Sequence, residues 1–167
     1  MRAALGLQMT HWASEPWPVR RTVDDLLVQA RERIAPRLDP EDAHRAMADG
    51  ALLVDLRSQD ERRRDGVVPG SLHIPRLVLE WRVDPDSGYT NPHITSLDCR
   101  LVLLCAQGFA SSFAAASLRE LGCSRATDLV GGFDAWKSAG LPVRSLDEKQ
   151  DRDRDELPGM GGPEPFV

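Results

Sequence analysis

The residues best suited to chemistry in this chain fall in one stretch, Leu101-Val102-Leu103-Leu104-Cys105-Ala106-Gln107-Gly108-Phe109-Ala110-Ser111-Ser112. An apolar run ends on a cysteine, a short loop with a central glycine follows, and an alanine-rich run of helical composition begins. The pattern predicts a strand, a tight loop and a helix start. A cysteine so placed sits at the carboxyl end of a strand, among loop N–H groups and before a helix N-terminus. Such surroundings favour a thiolate and bind an anion. Cys105 is therefore the candidate nucleophile; the competing reading is a buried structural thiol, the commonest state of a free cysteine. Gly108 is expected to turn the loop with its N–H groups inward, at a point where a side chain would crowd a ligand. Ser111 and Ser112 are expected chiefly to cap the helix that follows, with donation to the sulfur as the other role.

The remaining cysteines read as structural thiols. Cys99 and Cys105 bracket one predicted strand, and six residues at ~3.3 Å each separate them by about 20 Å. A disulfide needs α-carbons within ~7 Å, so these two do not bridge. Cys123 follows the helix that runs back from the loop and is expected near the Cys99 end of the sheet. His11, His44, His73 and His93 show no metal-ligand spacing, so neither a metal nor a cofactor is expected.

The elements that must position Cys105 can be read from capping and periodicity. Thr22 to Ala35 has apolar residues at helical spacing, a threonine cap and acids in its first turn. Asp39-Pro40-Glu41-Asp42 opens a second helix that stops at Gly50, with the proline at its first position. Leu52 to Asp55 reads as a buried strand. Ser58-Gln59-Asp60-Glu61 is a capping box that opens a short charged helix, whose Arg62-Arg63-Arg64 run reads as a solvated face. Ser71 to Ile74 is a short strand, and Arg76 to Trp81 a further helix. Arg100 to Leu104 is the most apolar strand, Ala110 to Leu121 a helix, Ala126 to Val130 a strand and Gly132 to Ala139 a last helix. Alternating strands and helices define an α/β fold with a mainly parallel sheet. The division expected is an N-terminal arm and helix over 1–37, a domain over 38–144 and a disordered acidic tail over 145–167. Trp12 and Trp17 suggest that the arm covers its own domain.

The 167-residue chain carries a formal charge of −5 without a basic patch, which excludes a dedicated nucleic-acid binder. It holds no apolar run near the ~20 residues a membrane helix needs. Residues Met1 to Thr10 lack the long apolar core of a secretory signal, so the cytoplasm, where thiols stay reduced, is the expected compartment. Neither nucleic acid nor membrane is expected as a partner.

Four segments in order resemble the rhodanese-like family. They are Leu53-Val54-Asp55-Leu56-Arg57, Gly66 to Pro75, Leu103 to Ser112, and Gly131-Gly132-Phe133-Asp134-Ala135-Trp136 through Val143. The resemblance covers about Leu38 to Val143. It implies a three-layer fold with a mainly parallel five-stranded sheet flanked by helices. It also implies that Cys105 carries sulfur and that Ala106, Gln107, Gly108, Phe109, Ala110 and Ser111 line the substrate site. Asp55 and Arg57 are then supporting residues that organise loops by ion pairing, with Asp60, Glu61 or Asp65 as possible partners. Val67 stands where the family usually has histidine.

The loop departs from many catalytic members in carrying no arginine or lysine. Arg76 or Arg82, after Pro75, are the candidates to supply that charge. Trp81 and Phe109 are candidates for an apolar wall. The function implied is a sulfurtransferase that holds sulfane sulfur as a persulfide on Cys105. It would take sulfur from a sulfane donor and pass it to a thiol, cyanide or a protein acceptor, with weak thiosulfate activity. The alternative is a regulatory or sulfur-binding module of low activity. A phosphatase of related fold would need an arginine six positions after the cysteine, where Ser111 stands.

Overall fold

A computed structural model describes residues 20–146. The expectations for most of the N-terminal arm and for nearly all of the acidic tail fall outside the described residues. The elements run α1 (Val23–Ile34), α2 (Pro40–Ala48), β1 (Leu52–Asp55), α3 (Gln59–Asp65) and β2 (Leu72–His73). A 3-10 turn over Arg76–Val78 leads into α4 (Leu79–Val83), followed by β3 (Leu101–Leu104), α5 (Ala110–Leu121), β4 (Thr127–Asp128) and α6 (Gly132–Ser138).

The caps form as the sequence predicts. Thr22 and Asp25 make a reciprocal capping box at α1, and Ser58 and Glu61 make another at α3. The Asp39 side chain accepts from the Asp42 amide at α2, with Pro40 at the first helical position.

The sheet is parallel, in the order β2-β1-β3-β4. Its centre, β3, is buried along its whole length, which is why it reads as an unbroken apolar run. Alternate residues feed two cores. Leu101 and Leu103 pack with Ile34 of α1, Leu79 of α4 and Leu118 of α5. Val102 and Leu104 pack with Ala43 and Ala46 of α2 and with Phe133 and Trp136 of α6. The result is three layers, with α1, α4 and α5 on one face and α2 and α6 on the other.

The sheet has four strands rather than five. Beyond β4 the chain adds only a single parallel bridge, between Leu38 and Leu129. Leu38 N–H donates to the Asp128 carbonyl at 3.2 Å, and Val130 N–H donates to the Leu38 carbonyl at 2.8 Å. Asp39 caps α2 and Pro40 begins it, so the chain turns into a helix after one paired residue. No helix among the described residues is long and apolar enough to cross a membrane.

Candidate active site

Cys105 follows β3 directly and its loop ends at the first turn of α5. Its Sγ accepts from the Gly108 amide at 3.1 Å and from the Ser111 amide at 3.4 Å. Ser111 Oγ lies 3.2 Å from the same sulfur. Two amides and a hydroxyl thus converge on one sulfur at a helix start, an arrangement that stabilises an anion there.

The loop keeps this shape because two glycines allow close approach. Gly108 has φ +75°, and a β-carbon on it would come within 2.8 Å of the Gly131 nitrogen. Its constraint is the neighbouring backbone rather than crowding of a ligand. Gly132, at φ +63°, would bring a β-carbon within 2.5 Å of the Cys105 carbonyl oxygen. Without one, the start of α6 docks on the loop: Phe133 N–H donates to the Cys105 carbonyl at 2.9 Å and Asp134 N–H to the Ala106 carbonyl at 3.0 Å.

Cys105 opens onto a cavity of about 270 Å³. Ala106, Gln107, Phe109 and Ala110 form its loop side, and Leu56, Arg57, Glu61 and Arg76 its other wall. Gly108 and Ser111 contact the sulfur instead. Phe109 is about half exposed over the cavity, whereas Trp81, also half exposed, is not among its lining residues. Arg76 comes to the cavity and pairs with Glu80 at 2.9 Å. Burial pushes the Glu80 carboxyl up, but hydrogen bonds from Ser117 and Arg76 outweigh this and hold it below the usual carboxylate range. Arg82 points elsewhere and donates to the Tyr89 carbonyl at 2.8 Å. The Ser58 hydroxyl and amide hold Glu61 below its ordinary range, so the wall carries one carboxylate as well as two guanidinium groups.

Asp55 and Arg57 are buried and pair with each other. Arg57 donates Nε at 3.0 Å and Nη2 at 2.7 Å to the carboxylate, and Nη2 also reaches the Gly66 carbonyl at 2.9 Å. Hydrogen bonds from Ser58 and Arg64, helped by the Arg57 charge, hold the expected partners Glu61 and Asp65 below the usual carboxylate range. Arg62 also approaches the pair, with its Nε 3.6 Å from Asp55. Arg62 is therefore buried, and only Arg63 and Arg64 of that run face solvent. The Arg57 guanidinium lies 3.6 Å from the Phe133 ring centroid, which ties α6 to the cavity wall.

Ser111 and Ser112 do not cap α5; the cap position is Phe109, with no side-chain bond. Both hydroxyls instead reach the buried Asp128 carboxylate, Ser111 at 3.0 Å and Ser112 at 2.7 Å. Arg37 pairs with that carboxylate through Nε at 2.6 Å and Nη2 at 3.0 Å. Arg31 and Arg37 also donate to the Gly108 carbonyl, at 3.1 and 3.4 Å. A trans peptide points its N–H opposite to its carbonyl, so the Phe109 amide faces away from these two arginines. Sequence reasoning missed Arg31, Arg37 and Asp128. A usable signal was present, because an aspartate inside the predicted buried strand Ala126 to Val130 demands a partner.

The model of the rhodanese-like domain matches residues 39–139. A strand-loop-helix that cradles a cysteine, on a parallel sheet covered on both faces, agrees with that match, and the chain belongs to the rhodanese-like family. It is 34% identical over 114 residues to the thiosulfate sulfurtransferase GlpE of Stutzerimonas stutzeri, covering 68% of this chain and 95% of that protein. It is 31% identical over 108 residues to a sulfurtransferase of Allochromatium vinosum, covering 64% and 92%. Among solved structures, a Rhodopseudomonas palustris protein described as a possible tyrosine phosphatase superposes with a TM-score of 0.69 at 34% identity, covering 78% of this chain and 99% of that one. A human single-domain sulfurtransferase superposes with a TM-score of 0.55 at 27% identity, covering 62% and 96%.

Proposed function

We propose that this chain is a sulfurtransferase that carries sulfane sulfur as a persulfide on Cys105. The observation that carries the reading is the sulfur itself, held by the Gly108 and Ser111 amides at the mouth of a cavity with Arg57 and Arg76 on its wall. The Cys105 thiolate attacks the sulfane sulfur of the donor. A new S–S bond forms, the donor's own bond to that sulfur breaks, and the leaving group departs with its electron pair; from thiosulfate this is sulfite. An acceptor thiolate or cyanide then attacks the outer sulfur, and the bond to Sγ breaks to return the thiolate. No external oxidant or reductant is needed. The loop amides serve the anion at each stage, as preorganised donors that need no reorientation.

The sulfane donor and a thiol, cyanide or protein acceptor are the partners of this reaction; nucleic acid and membrane have no part in it. A reduced compartment such as the cytoplasm suits the thiol. Residues 38–144 form the catalytic domain in this reading, with α1 as a brace. The alternative is a sulfur-binding or regulatory module of low turnover, favoured by the uncharged loop. The description of the Rhodopseudomonas palustris relative raises phosphate-ester hydrolysis as a second reading. Against it, position 111 holds serine, and the loop from Ala106 to Ser112 has no guanidinium to grip an oxyanion in two places. Steady-state assays with thiosulfate and cyanide, and separately with an aryl phosphate, decide among them. Cys105-dependent thiocyanate formation without phosphate release is expected; phosphate release without sulfur transfer would overturn the proposal.

A further inference from the structure

Beneath the loop, one buried carboxylate gathers several donors, and Arg31 Nε approaches the Ser112 oxygen at 3.4 Å. Asp128 is fully buried and its carboxylate meets four donor groups: Arg37 Nε on Oδ1, and Arg37 Nη2, Ser111 Oγ and Ser112 Oγ on Oδ2. Ser112 also lies 3.1 Å from the Gly108 carbonyl, but that oxygen is served by Arg31 and Arg37, which leaves the Ser112 proton for the carboxylate. Ser111 has one proton and two claimants, Asp128 Oδ2 at 3.0 Å and Cys105 Sγ at 3.2 Å. It cannot donate to both at once.

We propose that Ser111 is a two-position donor and that Asp128, held by Arg37, is the positioning residue that sets which position it takes. With Cys105 as a thiol, S–H donates to Ser111 Oγ and the Ser111 hydroxyl donates to Asp128, so every group is satisfied. With Cys105 as a thiolate, that arrangement would set oxygen lone pairs against the sulfur anion. The hydroxyl then turns to Sγ and becomes its third donor, beside the Gly108 and Ser111 amides. Asp128 keeps the two Arg37 bonds and Ser112, so the turn leaves it satisfied. Arg37 and Arg31 precede residue 39, where the family match begins. A segment outside the matched domain thus tunes the sulfur from below, while Arg57, Arg76 and Glu61 face it from the cavity wall.

The inference rests on Cys105 as the reactive sulfur of the proposed function, and its test reads that sulfur without any transfer reaction. The measurement is the rate of alkylation of Cys105 by iodoacetamide across pH. It is resolved by residue in the mass spectrometer because Cys99 is also partly exposed. Ser111→Ala is expected to slow alkylation at pH 7 about tenfold, the size of one hydrogen bond to a charged group, by displacing the profile to higher pH. Asp128→Asn weakens the competing claim, because an amide oxygen accepts less strongly than a carboxylate, and is expected to speed alkylation about fivefold, displacing the profile to lower pH. In the Ser111→Ala background the Asp128→Asn effect should shrink below twofold, because coupled residues do not add. If Asp128→Asn does not fold, Arg37→Lys replaces it; a weaker hold on Asp128 tightens its claim on Ser111 and should displace the profile to higher pH, again only with Ser111 present. Arg33→Gln, on the same helix but paired with Glu120, serves as a control that leaves the profile in place. A profile unmoved by Ser111→Ala, or an Asp128 effect of equal size with and without the Ser111 hydroxyl, would overturn the inference.

Discussion

Two aspartates stand at the carboxyl ends of strands, Asp55 on β1 and Asp128 on β4, and both are fully buried. Each is held by a two-pronged arginine, Arg57 for the first and Arg37 for the second. Their remaining neighbours separate them. Asp55 is approached by a second guanidinium, that of Arg62, and its partner Arg57 goes on to the Gly66 carbonyl and the Phe133 ring. Asp128 is approached by two serine hydroxyls, one of which touches the cysteine. A guanidinium only donates, whereas a hydroxyl donates and accepts. The same buried charge is therefore a fixed anchor beside the cavity and a responsive one beneath the sulfur.

The largest effect should come from removing the sulfur that only one of these aspartates reaches. Cys105→Ser is expected to lower sulfur transfer more than about a thousandfold while leaving the thermal midpoint nearly unchanged. Wild-type transfer by that variant would place the chemistry elsewhere.

Next comes the anchor. Asp55→Ala strands Arg57 and Arg62 in the interior, and breaking such a pair costs ~3–5 kcal/mol. Urea unfolding should register that loss, whereas Asp128→Asn, which keeps a polar partner for Arg37 and the serines, should lose less. Equal losses would remove the distinction between the two sites.

A smaller effect tests the cavity itself. Its cations, Arg57 and Arg76, are tied to Asp55 and Glu80, and Glu61 adds a negative charge. Thiosulfate should therefore bind weakly. Ala110→Arg, on the loop side, should lower the Michaelis constant for thiosulfate about tenfold, equivalent to ~1.4 kcal/mol, and the gain should shrink with added salt. Low-micromolar thiosulfate affinity in the wild type would show that the tied cations already suffice.

The smallest effect lies far from the loop. Burial, with help from Cys99 and Asp84, pushes the Cys123 thiol up to about 11, against ~8.5 in an unfolded chain. Between those values the unfolded state has lost a proton that the folded state keeps, so stability falls as pH rises through that window. Cys123→Ala should flatten this slope in thermal unfolding measured from pH 8 to 11. An unchanged slope would assign it to other groups.

Local signals carried the sequence reading a long way. The cap at Thr22, the capping box at Ser58 and the Asp39-Pro40 start depend on residues within one turn, and each forms as expected, Thr22 with Asp25 as its reciprocal partner. The Cys105 loop was legible for the same reason, since strand, glycine and helix start are contiguous. What escaped was long-range. Arg31 and Arg37 reach the loop and Asp128 across more than 70 residues of sequence, and no periodicity reports such a contact. Ser111 and Ser112 looked like caps because a serine before an alanine-rich run usually is one, but the helix starts earlier, at Ala110, so both fall inside its first turn and their hydroxyl protons go to the buried Asp128 carboxylate. Pairing beyond β4 stops at Leu38 for a local reason, since Pro40 commits the chain to a helix two residues later.

The central claim is that Cys105 accepts and surrenders a sulfur atom, and the intact mass of the purified protein tests it most directly. Incubation with a sulfane donor, followed by removal of excess donor, should add the mass of one sulfur atom. Peptide mapping should assign that atom to Cys105, and a thiol reductant or cyanide should remove it. Cys105→Ser should show no gain. A donor-treated wild type with unchanged mass, or a sulfur atom carried on Cys99 or Cys123 instead, would contradict the account.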